Sequence, residues 1–257
     1  MTGTADRVVS RAYLLGLGHV NLLDTYLSPL SYQGGQLSYL GERSYATRIA
    51  GGKVGFQSLF QAIGCYALSP VQNGTTMGGF LVSRTGLHYR WQPSAGLRLF
   101  AGGNLNFTGG GLYNLRNGNN PAQAKLQLDV AASLAASWSF RVGKQLLALR
   151  GQVDMLLAGL MFSPNYGQSY YELFSLGHYD HNVCFIFPGN APTFRQMLTF
   201  DVPMRRATLR LGYVSEIEQS QVNGLKNHRY SHSFMIGFVR DLHFLSRKQI
   251  PANQIFY

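Results

Sequence analysis

The chain is poor in the features that hold most small proteins together. It has two cysteines in 257 residues, Cys65 and Cys184, so one disulfide between them or two unpaired thiols are the readings open. A chain this size needs neither disulfide nor metal to hold a core. Charged residues are 13% of the total, about half the share usual in soluble domains. Acidic residues number only 11 against 22 lysines and arginines, giving a formal net charge of +11. No apolar run approaches the roughly 20 residues of a spanning helix, which excludes a helical membrane protein. Abundant aromatics, 16 Phe and 15 Tyr, exclude disorder. An all-β chain whose surface meets lipid satisfies these absences together.

The pattern that is present has a period of two. From Ala124 to Val142 the even positions (Leu126, Leu128, Val130, Leu134, Trp138, Phe140) are apolar. The odd ones (Lys125, Gln127, Asp129, Ser133, Ser137, Arg141) are polar or small. A helix would scatter these classes around its circumference, and the run outlasts an ordinary soluble strand. Beyond Gly143-Lys144, Leu147, Leu149, Val153, Met155 and Leu157 oppose Arg150, Gln152 and Asp154. Weaker splits occur over 96–108, 207–219 and 228–244, while 10–21 and 36–47 alternate poorly.

Ten strands are expected, at about 9–21, 35–47, 53–69, 77–91, 96–109, 123–142, 145–162, 193–203, 207–220 and 228–244. Long polar loops near 24–35, 70–76, 109–123, 163–192 and 221–227 alternate with short turns at 92–95, 142–144 and 203–206. This predicts a single domain over 1–257: an antiparallel up-and-down transmembrane β-barrel with its long loops at one end. Eight or twelve strands remain open, because 163–192 has room for a hairpin. Arg7, Arg11 and the run Tyr13 to Leu17 resemble a signal peptide, but no clean cleavage site follows and a first strand fits them. The numbering is therefore expected to begin at a mature or alternative start.

Inside a closed barrel, charges of both signs can pair. Arg84, Arg98, Asp129, Arg150, Asp154, Arg195, Asp201, Arg210 and Glu216 are the expected lumenal network; His88, Arg90, Lys125, Arg141 and Glu218 share their face. Tyr89, Trp91, Trp138, Phe140 and Phe244 precede short turns or close the last strand, and predict an aromatic girdle at the periplasmic interface. The basic residues are dispersed along the strands, so the reading is no nucleic acid. Outer-membrane lipid and lipopolysaccharide are the expected surroundings.

Several stretches resemble a family of uncharacterised outer-membrane β-barrel proteins of Bacteroidetes type, a domain of unknown function. They are Asn117 to Lys125, Phe162 to Glu172, Phe174 to Gly177 with Tyr179 to Asn182, Asn21 to Leu30, and Arg195 to Pro203. The resemblance covers nearly the whole chain. It implies the outer membrane as location and carries over no catalytic residue.

The segment 163–192 holds Tyr166, Tyr170, Tyr171, Phe174, Tyr179, Phe185 and Phe187. It is too aromatic for disorder and is expected to fold over or into the barrel mouth. A plug, a protein-docking surface and a ligand site are its three readings, with Tyr166, Tyr170, Tyr171, Phe174 and Tyr179 as the contact candidates. His178, Asp180 and His181, with Glu172 nearby, offer imidazole and carboxylate to a divalent cation but match no stringent template, so no metal or cofactor is expected. A hydrolase would use Ser169, His178 and Asp180 or Asn182, and an omptin-like protease would need more than Asp180-His181. Gly109-Gly110-Gly111 is expected at a hairpin top. The resulting expectation is a non-enzymatic accessory or structural subunit that docks other envelope proteins through its loops. A small pore for a polar solute and an envelope hydrolase are the alternatives.

Overall fold

The computed structural model describes residues 8–205 and 207–243. It is a closed antiparallel barrel of ten strands: β1 (Val8–Asp24), β2 (Ser28–Ala46), β3 (Val54–Leu68), β4 (Thr75–Trp91), β5 (Leu97–Asn114), β6 (Ala122–Val142), β7 (Gln145–Phe162), β9 (Thr193–Pro203), β10 (Thr208–Val222) and β11 (Leu225–His243). Each strand pairs with its neighbours in sequence, and β1 pairs with β11 to close the wall. Between β7 and β9 lie one helical turn, α1 (Tyr170–Phe174), and a short strand, β8 (Val183–Ile186). The segment 163–192 thus adds no wall strand that runs the barrel's height, and ten is the count.

The register shows that the strands are tilted. A row of partners starting at Ala148 runs through Asp201, Arg210, Gly237, Leu14, Leu40, Gln61, Val82, Thr108 and Gln127, and returns to β7 at Met161. That displacement is the stagger a closed sheet requires, and it leaves no free edge. At one place closure needs help. β9 reaches up β7 only to Met155, and β8 takes over the exposed edge, from Gly159 to Phe162.

Alternation sets what faces where. On β6, Leu126, Leu128, Val130, Leu134 and Trp138 point outward and are exposed, while Asp129, Ser133 and Ser137 are buried. The weak alternation of β1 has a structural cause: its lumenal face is largely apolar too, whereas that of β2 mixes Tyr32 and Leu40 with Gln36, Ser38 and Glu42. Ala12, Leu14 and Leu40 join Leu59, Met197, Val214, Met235 and Val239 in one interior cluster. Val20, Leu22, Leu27 and Tyr32 join Ile63, Phe80, Val82 and Leu112 in another. The lumen is a packed core.

Three expected long loops are short. The β1–β2 connection is 25–27, the β5–β6 connection 115–121, and β10 turns into β11 through Asn223-Gly224. Both residues of that turn have positive φ, 51° and 74°, the geometry of a type I′ hairpin whose twist matches the strands. Glycine-rich and polar strand ends had the composition of loops. The three consecutive glycines also lie inside β5, with Gly111 opposite Gly79 and Gly110 opposite Phe80. A Cβ on Gly110 would sit 2.2 Å from the Gly79 carbonyl oxygen, so close approach of the strands, rather than a turn, requires glycine there. Outward-facing Gly64, Gly79 and Gly111 leave a groove of about 840 Å³ in the barrel's outer wall, bordered by Leu37, Tyr66, Met77 and Tyr113.

At the short-turn end Tyr89, Trp91 and Trp138 are exposed, and the Trp138 and Phe140 rings lie 4.7 Å apart. Phe244 lies outside the described residues. Five basic residues dispersed in sequence, Arg48, Lys53, Arg141, Lys144 and Arg205, are exposed at this end. The up-and-down path of the chain brings together residues that are remote in sequence.

Candidate functional site

Apart from Lys125, which pairs separately with Asp24 at 2.6 Å, most interior charges form two networks. In the lower one, nearer the short turns, Arg210 pairs with Asp201 and Glu42, both at 2.7 Å, and Arg150 pairs with Glu42 at 2.8 Å. In the upper one, Arg84 meets Glu216 at 2.8 Å and Arg195 meets Asp154 at 3.3 Å. Arg229 joins Glu216 at 3.2 Å and Glu218 at 2.6 Å. Two arginines thus face two carboxylates below, and three face three above. Gln152 joins the levels, donating to Gln57 Oε1 at 3.1 Å and to Asp154 Oδ1 at 3.0 Å.

Asp129 accepts from Asn106 and Gln127, each at 2.8 Å. Arg98 lies near the lower end of β5, half-buried. Two members not expected from the sequence are Glu42 and Arg229. Glu42 falls in a poorly alternating strand, and Arg229 shares the parity of Ser231 and Ser233, the signal that would have found it. The voids among these side chains are small, about 50 Å³ near Lys125 and Glu218 and about 20 Å³ near Arg84 and Asp154. Such spaces hold single waters rather than a solute path.

The segment 163–192 folds as a cap over the opposite end. Ser169 opens α1: its hydroxyl accepts from the Glu172 amide at 3.2 Å, and the Glu172 carboxylate accepts from the Ser169 amide at 2.7 Å. These hydrogen bonds hold the Glu172 carboxyl below its ordinary pKa. Asn165 Nδ2 donates to the Asp180 carbonyl at 2.7 Å, and Gln168 Nε2 donates to the His178 carbonyl at 2.9 Å. Asn223, from the β10–β11 turn, donates to the Ser163 and His181 carbonyls at 3.1 and 3.0 Å. Below, Ile186, Ala191 and Met161 form an apolar seal with Leu156.

Of the five aromatic candidates, one is an anchor and four are displayed. The Tyr170 hydroxyl donates to Gln123 Oε1 at 2.9 Å and accepts from the Ala124 amide at 2.7 Å. Its ring meets Tyr26 edge-on, with centroids 5.7 Å apart. Burial pushes the Tyr170 hydroxyl pKa up, and burial with the nearby Tyr170, Asp24 and Glu172 pushes that of Tyr26 to about 12. By contrast Tyr166, Tyr171, Phe174 and Tyr179 are 78%, 66%, 63% and 70% exposed. Tyr170→Phe will orphan the Ala124 amide and loosen the cap by about 1–3 kcal/mol. Hydrogen exchange at residues 163–192 will rise while the barrel amides stay protected.

The residues weighed for a hydrolase or a metal have other partners. The Ser169 hydroxyl is committed to Glu172, donating to Oε2 at 3.0 Å. Asn182 is turned to Ser163 and Gln168. Asp180 and His181 pair with each other on an exposed turn. Among the described residues no group of three or more His, Cys, Asp or Glu side chains converges to hold a metal. Cys65 and Cys184 are both free thiols, one in the barrel interior and one on β8, where burial raises its pKa.

With this geometry in view, comparison with known proteins is specific about fold and family. The chain resembles the outer membrane protease OmpT from Escherichia coli at 8% identity and a TM-score of 0.50, covering 94% of this chain and 99% of that one. The transport unit of the autotransporter AIDA-I from Escherichia coli is 6% identical at a TM-score of 0.46, with 93% of each chain covered. A Pseudomonas aeruginosa FadL homologue is 8% identical at 0.38, covering 94% of this chain and 91% of that one. At such identities the likeness is one of fold: an outer-membrane-type β-barrel. No curated protein matches the sequence. Residues 2–249 match the family described as protein of unknown function, DUF3316, and the chain belongs to that family.

Proposed function

We propose that this member of the DUF3316 family is a non-conducting outer-membrane scaffold that docks another envelope protein through the aromatic crown of its cap. The observation that carries this reading is the contrast between the two ends of Tyr170's neighbourhood. Tyr170 fixes the cap to the wall, while Tyr166, Tyr171, Phe174 and Tyr179 stand out from it with most of their surface exposed. Aromatic side chains held rigidly in water are the composition of interface cores. Paired charges and apolar clusters fill the lumen, which supports a scaffold over a pore. In this reading the outward apolar band lies in the outer membrane, with the short turns, the start of β1 and the end of β11 on the periplasmic side.

Two measurements test it. Purified barrel in a planar bilayer will show no channel current above the bare membrane. Crosslinking in native membranes will capture a stoichiometric protein partner, and Tyr171→Ser with Phe174→Ser and Tyr179→Ser will abolish that capture in a barrel that still folds. Steady single-channel currents, or capture undiminished by the triple variant, would overturn the proposal.

A further inference from the structure

Three arginines stand side by side on the outer wall near the short-turn end. Arg11 of β1 lies directly opposite Arg240 of β11 and opposite Arg43 of β2. Odd positions of β1 and β2 and even positions of β11 point outward, as the exposed Tyr13, Leu15, Tyr39, Ile236 and Phe238 make plain. The three side chains therefore share one face, across two interstrand spacings of about 4.8 Å each. Like charges directly opposite each other weaken a sheet. Nothing described relieves this row: among the described residues none of the three forms an ion pair. Neighbouring Glu42 is turned to the lumen and already holds Arg150 and Arg210. The Nε atom of Arg11 is buried without a hydrogen-bond partner. The guanidinium of Arg43 lies over the Tyr45 ring, 5.4 Å from its centroid.

We propose that Arg43, Arg11 and Arg240 bind the phosphodiester headgroup of an anionic phospholipid in the leaflet at the short-turn end. Guanidinium forks match phosphate oxygens in pairs, and a phosphate removes the mutual repulsion of the row. Along the strands the row is flanked by Gly41, Tyr13 and Phe238 on one side and, toward the short turns, by Tyr45, Val9 and Leu242. The arginines thus sit close to the short-turn end of the apolar face, and the acyl chains of a bound lipid continue along Tyr13, Leu15 and Phe238. A free anion would gain nothing from that continuity, which favours the lipid. Exposed Arg48, Lys53 and Lys144 at the same end add a diffuse attraction for negative headgroups.

The inference rests on lipid surrounding the barrel, and the two ideas fail differently. If the membrane placement is wrong, an arginine at Leu128 will be harmless. If only the arginine row is misread, the barrel will remain embedded but indifferent to headgroup charge.

Native mass spectrometry of the whole barrel, extracted in detergent doped with phosphatidylglycerol or phosphatidylcholine, decides it. Wild type will retain phosphatidylglycerol in preference. Each arginine near an anionic surface contributes on the order of a fivefold gain, so Arg11→Gln with Arg240→Gln will lower phosphatidylglycerol retention at least tenfold and leave phosphatidylcholine unchanged. In lipid-free detergent the same double variant will melt no lower than wild type, because repulsion is removed; a merely structural row would lower the melting temperature. Should the double variant fail to fold, Arg43→Gln alone will give about a fivefold loss. Equal retention of the two lipids by wild type, unchanged retention in the variants, or displacement of the lipid by millimolar inorganic phosphate would each overturn the assignment.

Discussion

Glu216→Gln will destabilise the folded barrel by about 3–5 kcal/mol, the cost of breaking a buried ion pair from one side. Glu216 is 1% exposed and holds two guanidiniums, Arg84 at 2.8 Å and Arg229 at 3.2 Å, with Arg195 Nε 3.6 Å away. The upper network is neutral as it stands. Removing this carboxylate leaves three arginines against Asp154 and Glu218, in a lumen whose voids are too small to admit a solvating shell. Glutamine keeps the volume, so the loss reports charge rather than packing. The measurement is urea unfolding in detergent, read from the slower gel mobility of the unfolded chain. Asp129→Asn is the matched control. Asp129 is also buried, but its hydrogen-bond donors are the neutral amides of Asn106 and Gln127. That change will cost less than about 1.5 kcal/mol, the scale of a neutral hydrogen bond. Equal losses in the two variants would mean that the arginines find solvent or another anion, and that the lumen is wetter than its packing implies.

What was legible in the sequence follows from the same division of faces. β6 could be read because its two faces differ completely: Leu128, Val130 and Leu134 outward, Asp129, Ser133 and Ser137 inward. β1 alternates weakly because Leu14, Val20 and Leu22 make its inner face apolar as well, and β2 because Gln33, Gly35 and Arg43 stand on its outer face. The strand tops were misread for a different reason. Gly109 to Asn114 is glycine-rich and Ser220 to Val222 partly polar, compositions that imitate loops although the backbone stays paired. The charges of the network could be chosen by parity, but their partners could not. Arg84 and Glu216 are 132 residues apart, and only closure of the wall brings them into contact. The cap was legible as a folded aromatic segment. The division of labour within it was not, because Tyr170 becomes an anchor only where Gln123 and Ala124 of another hairpin reach it.

The outward face gives the second large effect. Leu128→Arg will destabilise the barrel by about 2–4 kcal/mol, the penalty for a basic side chain near the bilayer midplane on a barrel's lipid face. Leu128 is 47% exposed, and its neighbours across the sheet are Phe107 and Leu160, both exposed and apolar. If water bathed this face, an arginine there would be tolerated within about 0.5 kcal/mol, as at most surface sites. The same side chain placed at Val142 is the control. Val142 is 58% exposed and borders the two-residue turn at the short-turn end, where an arginine reaches headgroups and where Arg141 already stands. Val142→Arg will cost no more than about 1 kcal/mol, because the penalty falls away toward the interface. The difference between the two sites, measured by refolding into vesicles, isolates depth from side-chain chemistry. A gradient from Leu128 to Val142 requires hydrocarbon around the middle of the barrel. Equal costs at both depths would instead require a protein or water boundary that does not change along the strand.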